Sequence, residues 1–412
     1  LWDYPAEQIP LTIASIDFFA ENRRKVGYAK GKSRMGNSRV CVLGSGSYLP
    51  GAPVATDQVE EVLGRLEGLN DRLASRLDQF RERLLLRSGV KNRHFAIDPQ
   101  TRRQTETNAS LAEKAARRAL EAAKMEASEI DLLIFSSPAP DCLTPPTSAL
   151  LQERLGIQRC TEIEIHSNCT GVPKGIQIAL DMLRQGRYAK ALVAYSQLSS
   201  IFLRSEFYNT SHVTLEHLTL RWMLSDGAGA LVLGRDGQGP DRPEMLDAYV
   251  ESVGVGQSPG MTMELGAQPG PDLAHLPTPY IVAIHEAGRH HLWQDVSKVA
   301  SQGAELALSG LRHMLDACHC DPDDIAVYIL PFPGQHFISG KHRDMARRIL
   351  GTDIESRMPF LVSDFGYCGG AASLVQFDRM ARAGSFKPGD LVVAYVEESS
   401  KWMSGGFLVR WA

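Results

Sequence analysis

What this 412-residue chain lacks removes whole classes of function before any motif is considered. No apolar run approaches the roughly 20 residues a helix needs to cross a bilayer, so no membrane span and no membrane partner are expected. There is no large excess of charge of either sign. A net charge of −4 argues against a broad nucleic-acid-binding surface, although local basic clusters remain open. Cysteine is scarce and odd in number: the seven residues at 41, 142, 160, 169, 318, 320 and 368 are widely scattered, unlike a secreted disulfide framework. A reducing, cytoplasmic setting is the expectation, and the absence of a signal-peptide pattern after Leu1 agrees with it. The pair Cys318-His319-Cys320 has no matching second pair nearby and the wrong spacing for a zinc knuckle. It reads as a helix end, and no metal is expected.

What is present is the composition of an ordinary soluble globular protein, 43% hydrophobic and 22% charged. The length leaves room for two domains or one large duplicated one. Residues 1–37 are basic and Gly/Ser-containing, in the manner of a peripheral arm. From Val40 onward short apolar strands alternate with helix-period runs. The expected strands are 39–50, 130–137, 160–167, 190–197 and 227–234, with helices over 108–125 and after Cys169. A Gly/Pro/Asp linker follows at 234–243. The pattern then resumes with strands at 326–333, 360–366, 390–398 and 406–412 and helices over 295–317 and 337–350. The second series mirrors the first, which predicts an internal duplication with halves over 38–235 and 243–412. Two segments exceed that plan, 199–222 and the Gly/Pro-rich stretch from about 254 to 280, and insertions of this kind often cover or line a site.

The chemistry centres on "TEIEIHSNCTGVPKGIQIALDMLRQG", residues 161–186. A strand-like run ends in "HSNC", and Ile176, Ile178, Ala179, Leu180 and Leu183 then recur at helical spacing. Cys169 therefore sits at a strand-to-helix junction, where unpaired N–H groups and the positive dipole end favour a thiolate. A buried structural cysteine is the plain alternative. A nucleophilic cysteine also needs a base and an oxyanion site. His336 follows a strand and a Pro-Gly turn, a loop position that suits a functional histidine. The denser set His285, His290 and His291 reads instead as a partly exposed surface or loop feature. Met261 and Met263 read as packing residues.

The segments "VLGSGSYLP", "RSGVKNRHF", "IHSNCTGVPKGIQIA", "LSDGAGALVLG", "FGYCGGAASL" and "GGFLVRW" follow in the order, and at roughly the spacing, of β-ketoacyl-acyl-carrier-protein synthase III. From about Arg39 to Ala412 the chain resembles this branch of the thiolase superfamily. The resemblance implies an α/β, thiolase-like five-layered αβαβα fold of two duplicated halves, usually a homodimer. It places Cys169 on the acyl-accepting cysteine and His336 on the catalytic histidine. A rival alignment on the strand-end proline puts Phe332 there instead. By end-counting, Ser400 offers a second oxyanion N–H beside that of Cys169.

The chain also departs from the family. Cys368 of "GYCGGAAS" stands where condensing enzymes carry an asparagine, one of the neutral donors that stabilise a decarboxylation enolate. "SSKW", Ser399 to Trp402, replaces a glycine-rich loop, and Arg83 falls roughly where a tryptophan stacks on coenzyme A. Arg83 and Arg87 are candidates for docking the donor, and Asp364 is a candidate auxiliary to His336. These departures leave simple acyl transfer intact. The implied activity takes an acyl group from the phosphopantetheine thioester of an acyl carrier protein or CoA. It forms an acyl-Cys169 and passes the group to a small-molecule hydroxyl or amine, with no permanently bound cofactor. A condensing ketosynthase, a silent partner subunit and a carrier-protein-binding module are the alternatives.

Overall fold

The computed structural model describes residues 38–235, 241–264, 280–334 and 341–412. The arm at 1–37, His336 and much of the 254–280 stretch lie outside them. Nine strands follow one hydrogen-bonded order. They are β1 (Val40–Tyr48), β2 (Leu132–Ser137), β3 (Thr161–His166), β4 (Lys190–Gln197), β5 (Gly227–Arg235), β6 (Glu244–Ser252), β7 (Ile325–Ile329), β8 (Leu391–Glu398) and β9 (Met403–Arg410). Across the sheet they run β7-β8-β9-β6-β1-β5-β4-β2-β3.

The order contains a repeat. In the first half β1 pairs antiparallel with β5, β5 antiparallel with β4, and β4 parallel with β2. In the second, β6 pairs antiparallel with β9, β9 antiparallel with β8, and β8 parallel with β7. The halves meet where Cys41 of β1 faces Glu244 of β6 and the Val42 N–H donates to the Pro243 carbonyl at 2.8 Å. The first half adds β3 beyond β2. Among its described residues the second has no such outer strand: "FLVSDFG", expected as a strand, forms a short helical turn at Val362–Phe365. Strand β6 was not expected from sequence. Glu244, Asp247 and Glu251 obscure its apolar face, of which only Met245 and Ala248 are buried.

Helices α1 (Asp71–Ser88), α2 (Asn108–Ala123), α3 (Thr147–Leu155), α4 (Gly171–Arg184), α5 (Leu215–Met223), α6 (Ala304–Ala317), α7 (Lys341–Leu350) and α8 (Ala371–Arg382) build the layers. Helices α2 and α3 cover the outer face of the first half, and α6, with α7 against it, covers that of the second. Between them α4 and α8 each touch strands of both halves, which makes the middle layer of a five-layered αβαβα arrangement.

Local sequence explains these choices. Thr107 caps α2 by accepting from the Ser110 N–H at 3.1 Å, and an alanine-rich face of that helix is buried. The two glycines of the "GSGS" run of β1 lie against α2, where there is no room for a side chain. A Cβ on Gly46 would stand 2.3 Å from the Ala115 carbonyl oxygen, so glycine lets strand and helix backbones touch. In "LSDGAG" the buried Asp226 carboxylate accepts from the N–H groups of Ala96 at 2.7 Å and Ser200 at 2.9 Å. It thereby ties the "NRHFA" segment and the start of the 199–222 insertion to β5. That insertion is packed rather than splayed: Phe202, Leu218 and Trp222 share a core with Leu73 and Leu85 of α1, and Met261 and Met263 lie against it.

Candidate active site

Strand β3 ends at His166 and α4 begins at Gly171, which leaves Cys169 buried between them. The helix start is not capped from its own sequence, since Thr170 makes no side-chain cap bond. The cap comes from β8. The Thr170 N–H and the Ser167 hydroxyl each donate to Glu398 Oε2 at 3.1 Å, and the Thr170 hydroxyl donates to the same oxygen. Ser400 donates to Glu398 Oε1 at 2.6 Å, and Lys174 Nζ reaches Ser167 Oγ at 2.9 Å. Burial alone would raise the Glu398 carboxyl. Hydrogen bonds from Ser400 and Thr170, with the Lys174 charge, outweigh it and hold the group below the usual carboxylate range. Glu398 is thus a buried carboxylate at the positive end of α4.

This changes the expected state of the nucleophile. The junction alone favours a thiolate, but burial, together with the charges of Glu398 and Glu397, pushes the Cys169 thiol up to about 12 against an opposing hydrogen bond from Tyr367. At neutral pH the resting group is a thiol and must lose its proton as it attacks.

Among the described residues Tyr367 reaches the sulfur, with its phenolic oxygen 3.0 Å from Cys169 Sγ. It comes from the loop between the Val362–Phe365 turn and α8. The Tyr367 carbonyl accepts from the Ser225 N–H at 2.9 Å, and Gly366 and Gly369 adopt φ values of +78° and +56°. A Cβ on Gly370 would stand 2.8 Å from the Cys169 carbonyl oxygen and 3.0 Å from the Tyr195 ring. The double glycine of "YCGGAAS" therefore lets α8 start directly against the nucleophile's backbone. Burial, then the neighbouring Cys169, raises the phenol, which stays protonated and able to donate.

The remaining candidates are dispersed. Cys368 is fully buried, its thiol raised by burial, and a Cβ placed on Gly227 would meet its sulfur at 3.0 Å. It packs against the start of β5, while its neighbour Tyr367 turns to Cys169. Ser400 comes to the nucleophile's helix through its hydroxyl on Glu398. Asp364 is exposed and accepts from Ser363 Oγ at 2.9 Å. Arg83 and Arg87 are exposed on α1, beside Leu86, which is 76% exposed. Phe332, the rival to His336, lines a cavity with Leu330, Pro331, Tyr367, Tyr395 and Glu397.

The histidine cluster corrects an expectation. His285 is exposed, but His290 and His291 are buried rather than lying on a surface loop. The Asn209 N–H donates to His291 Nε2 at 2.9 Å, and His290 Nε2 lies 2.7 Å from the Phe207 carbonyl oxygen. The pair thus anchors the 199–222 insertion. Among the described residues, no group of three or more His, Cys, Asp or Glu side chains is placed to hold a metal ion, and no helix is long and apolar enough to cross a membrane.

Sequence reasoning missed Tyr367, Glu397 and Glu398. The signal for the glutamates was present, since "LVVAYVEESS" ends an otherwise apolar strand on two adjacent carboxyls. Tyr367 was overshadowed by its neighbour Cys368.

The family model for 3-oxoacyl-[acyl-carrier-protein (ACP)] synthase III matches residues 163–254, which span Cys169 and β4 to β6. The β-ketoacyl-[acyl-carrier-protein] synthase III of Methylococcus capsulatus is 29% identical over 238 residues, 58% of this chain and 59% of that protein. The Clostridioides difficile protein of the same name is 27% identical over 87% of this chain and 94% of its own length. Among solved structures, the tetronic acid condensing enzyme AbyA1 superposes with a TM-score of 0.70 at 23% identity, covering 90% of this chain and 99% of its own. OleA from Xanthomonas campestris gives 0.70 at 19% identity, over 92% and 100%.

Proposed function

Proceeding from a chain that is a ketosynthase III-like member of the thiolase superfamily, we propose that it is a thioester-dependent acyltransferase. In this reading Cys169 takes an acyl group from an acyl carrier protein or CoA thioester and passes it to the hydroxyl or amine of a small-molecule acceptor. The observation that carries the reading is the pairing of two neighbours on one loop. Tyr367 reaches the nucleophile at 3.0 Å, while the adjacent position, where condensing enzymes need an amide donor, is a cysteine buried against β5.

In the first half-reaction the thiol gives up its proton, which we assign to His336, as sulfur bonds to the donor carbonyl carbon. The donor's C–S bond breaks and the leaving phosphopantetheine sulfur takes that proton from His336. The Tyr367 hydroxyl steadies the charge that develops on sulfur in attack and again when the sulfur leaves. The N–H groups of Cys169 and Ser400 are assigned to the oxyanion. Exposed Arg83 and Arg87 would meet an acidic carrier or a phosphopantetheine phosphate. A cytoplasmic homodimer belongs to the same reading.

A second reading, decarboxylative condensation, is favoured by the relatives from Methylococcus capsulatus and Clostridioides difficile, both named as β-ketoacyl-[acyl-carrier-protein] synthases. Intact-protein mass spectrometry separates the two. Wild type and Cys169→Ala are incubated with acyl- and malonyl-loaded CoA and carrier protein. Acyl transfer predicts a mass gain on wild type alone, with no CO2 from malonyl donors. CO2 release with a β-ketoacyl product would establish condensation, and no adduct from any donor would indicate a silent partner or a binding module.

A further inference from the structure

Strand β8 ends in two glutamates whose side chains leave on opposite faces, as successive strand residues must. Glu398 turns to the start of α4. Glu397 turns into the cavity that holds Tyr367, Leu330, Pro331 and Phe332, closed on its far side by Ala307, Leu308 and Leu311 of α6. The residue retains some exposure, but its Oε1 atom is buried and has no hydrogen bond among the described residues. An unpaired carboxyl oxygen in an apolar cavity is costly to keep, and a structural role would have given it a donor. Its charge is felt by both Cys169 and Tyr367, and Tyr367 joins the cavity to the nucleophile through its contact with Sγ.

We propose that Glu397 is the proton acceptor of the second half-reaction, for an acceptor that presents one O–H or N–H from an otherwise apolar body. The assignment rests on the acyltransferase reading above. The Glu397 carboxylate takes the acceptor's proton as that oxygen or nitrogen bonds to the thioester carbonyl carbon. The C–S bond breaks and its electron pair stays on Cys169 Sγ. The proton then passes from Glu397 to the sulfur, restoring thiol and carboxylate. The apolar walls formed by α6 and residues 330–333 suit such an acceptor. Burial, then the charge of Glu398, pushes the Glu397 carboxyl up to about 8, where it exchanges a proton near neutrality. Among the described residues, the other ionisable groups facing it are Tyr367 and Cys169, with Tyr395 two residues back on its own strand.

The test uses wild type, Glu397→Gln and Glu397→Asp, each loaded with octanoyl-CoA or octanoyl-carrier protein and freed of donor. Discharge of the acyl-enzyme into water is followed by intact mass from about pH 6 to about pH 9, across the range where this carboxyl titrates. Hydroxylamine, which needs no base, reports whether the thioester is accessible. All three proteins should load, and hydroxylamine should discharge them alike. Wild-type discharge into water should rise with an inflection near pH 8. Glu397→Gln should be slower by about a hundredfold and lack the inflection, and Glu397→Asp should recover part of the rate. Glu397→Gln with the wild-type rate and pH profile would overturn the assignment while leaving the acyltransferase reading intact. Loss of loading in Glu397→Gln alone would place the residue in the first half-reaction and overturn it as well. Failure of wild type to load from any donor removes the acyltransferase reading and this assignment with it.

Discussion

The hydroxyl of Tyr367 lies 3.0 Å from the sulfur of Cys169, a contact made across 198 residues of sequence. It is the largest of the interactions that lower the thiol's pKa against burial and two nearby carboxyls. Replacing Tyr367 by Phe keeps the ring and removes the bond, so the thiol should become harder to ionise. A net loss of about 1 kcal/mol predicts roughly five- to tenfold slower alkylation of Cys169 by iodoacetamide at fixed pH. Peptide mass spectrometry resolves Cys169 from the other six cysteines. An unchanged rate would mean that the phenol does not steady the thiolate.

Glu398→Gln should move reactivity the other way. Glu398 raises the thiol by its charge while accepting from Thr170, Ser167 and Ser400. The amide removes the charge but turns an NH2 toward groups that are themselves donors, at a cost of about 1–3 kcal/mol. Alkylation of Cys169 should quicken as the thermal midpoint falls. Slower alkylation in a folded variant would contradict the electrostatic account.

Two glycines separate site effects from scaffold effects. Gly46→Ala puts a Cβ 2.3 Å from the Ala115 carbonyl oxygen on the outer face of β1, far from the chemistry. Gly370→Ala puts one 2.8 Å from the Cys169 carbonyl oxygen. Each overpacking should cost about 1–3 kcal/mol or somewhat more, read as a lower thermal midpoint. Only Gly370→Ala should also change the Cys169 alkylation rate relative to wild type at the same fraction folded.

The buried histidines predict a sign for the pH dependence. Burial, with neighbouring histidines, lowers His291 to about 3 and also lowers His290 and His217, all below the unfolded value near 6.5. The unfolded chain therefore binds more protons in acid. Stability from this cluster is fully present above about pH 6.5 and falls as pH drops from there toward 3. His291→Gln keeps an acceptor for the Asn209 N–H and removes the titration. The drop in thermal midpoint from neutral pH to about pH 5 should be smaller in the variant than in wild type. An equal drop would assign acid sensitivity to other groups.

The strands that were readable are those whose apolar runs are nearly continuous, such as β2 and β4, buried on both faces between helical layers. β6 escaped notice because it carries charges at 244, 247 and 251 and buries only Met245 and Ala248. "FLVSDFG" was misread because a short apolar run does not distinguish a strand from a helical turn. The histidines misled for a related reason. "IHEAGRHH" looks polar and loop-like, but the insertion folds back over His290 and His291 and excludes water from them.

The sequence by itself determined the alternation of strands and helices in two successive series, and a cysteine at a strand-to-helix junction. These are local properties, carried by periodicity and by glycines that only one backbone path can use. The tertiary structure alone decided what surrounds that cysteine. Tyr367, Glu397 and Glu398 come from segments about 200 residues away and share no spacing with Cys169. Whether a thiol beside them rests as thiol or thiolate depends on burial and on summed charge, and both exist only once the two halves have closed around the middle layer.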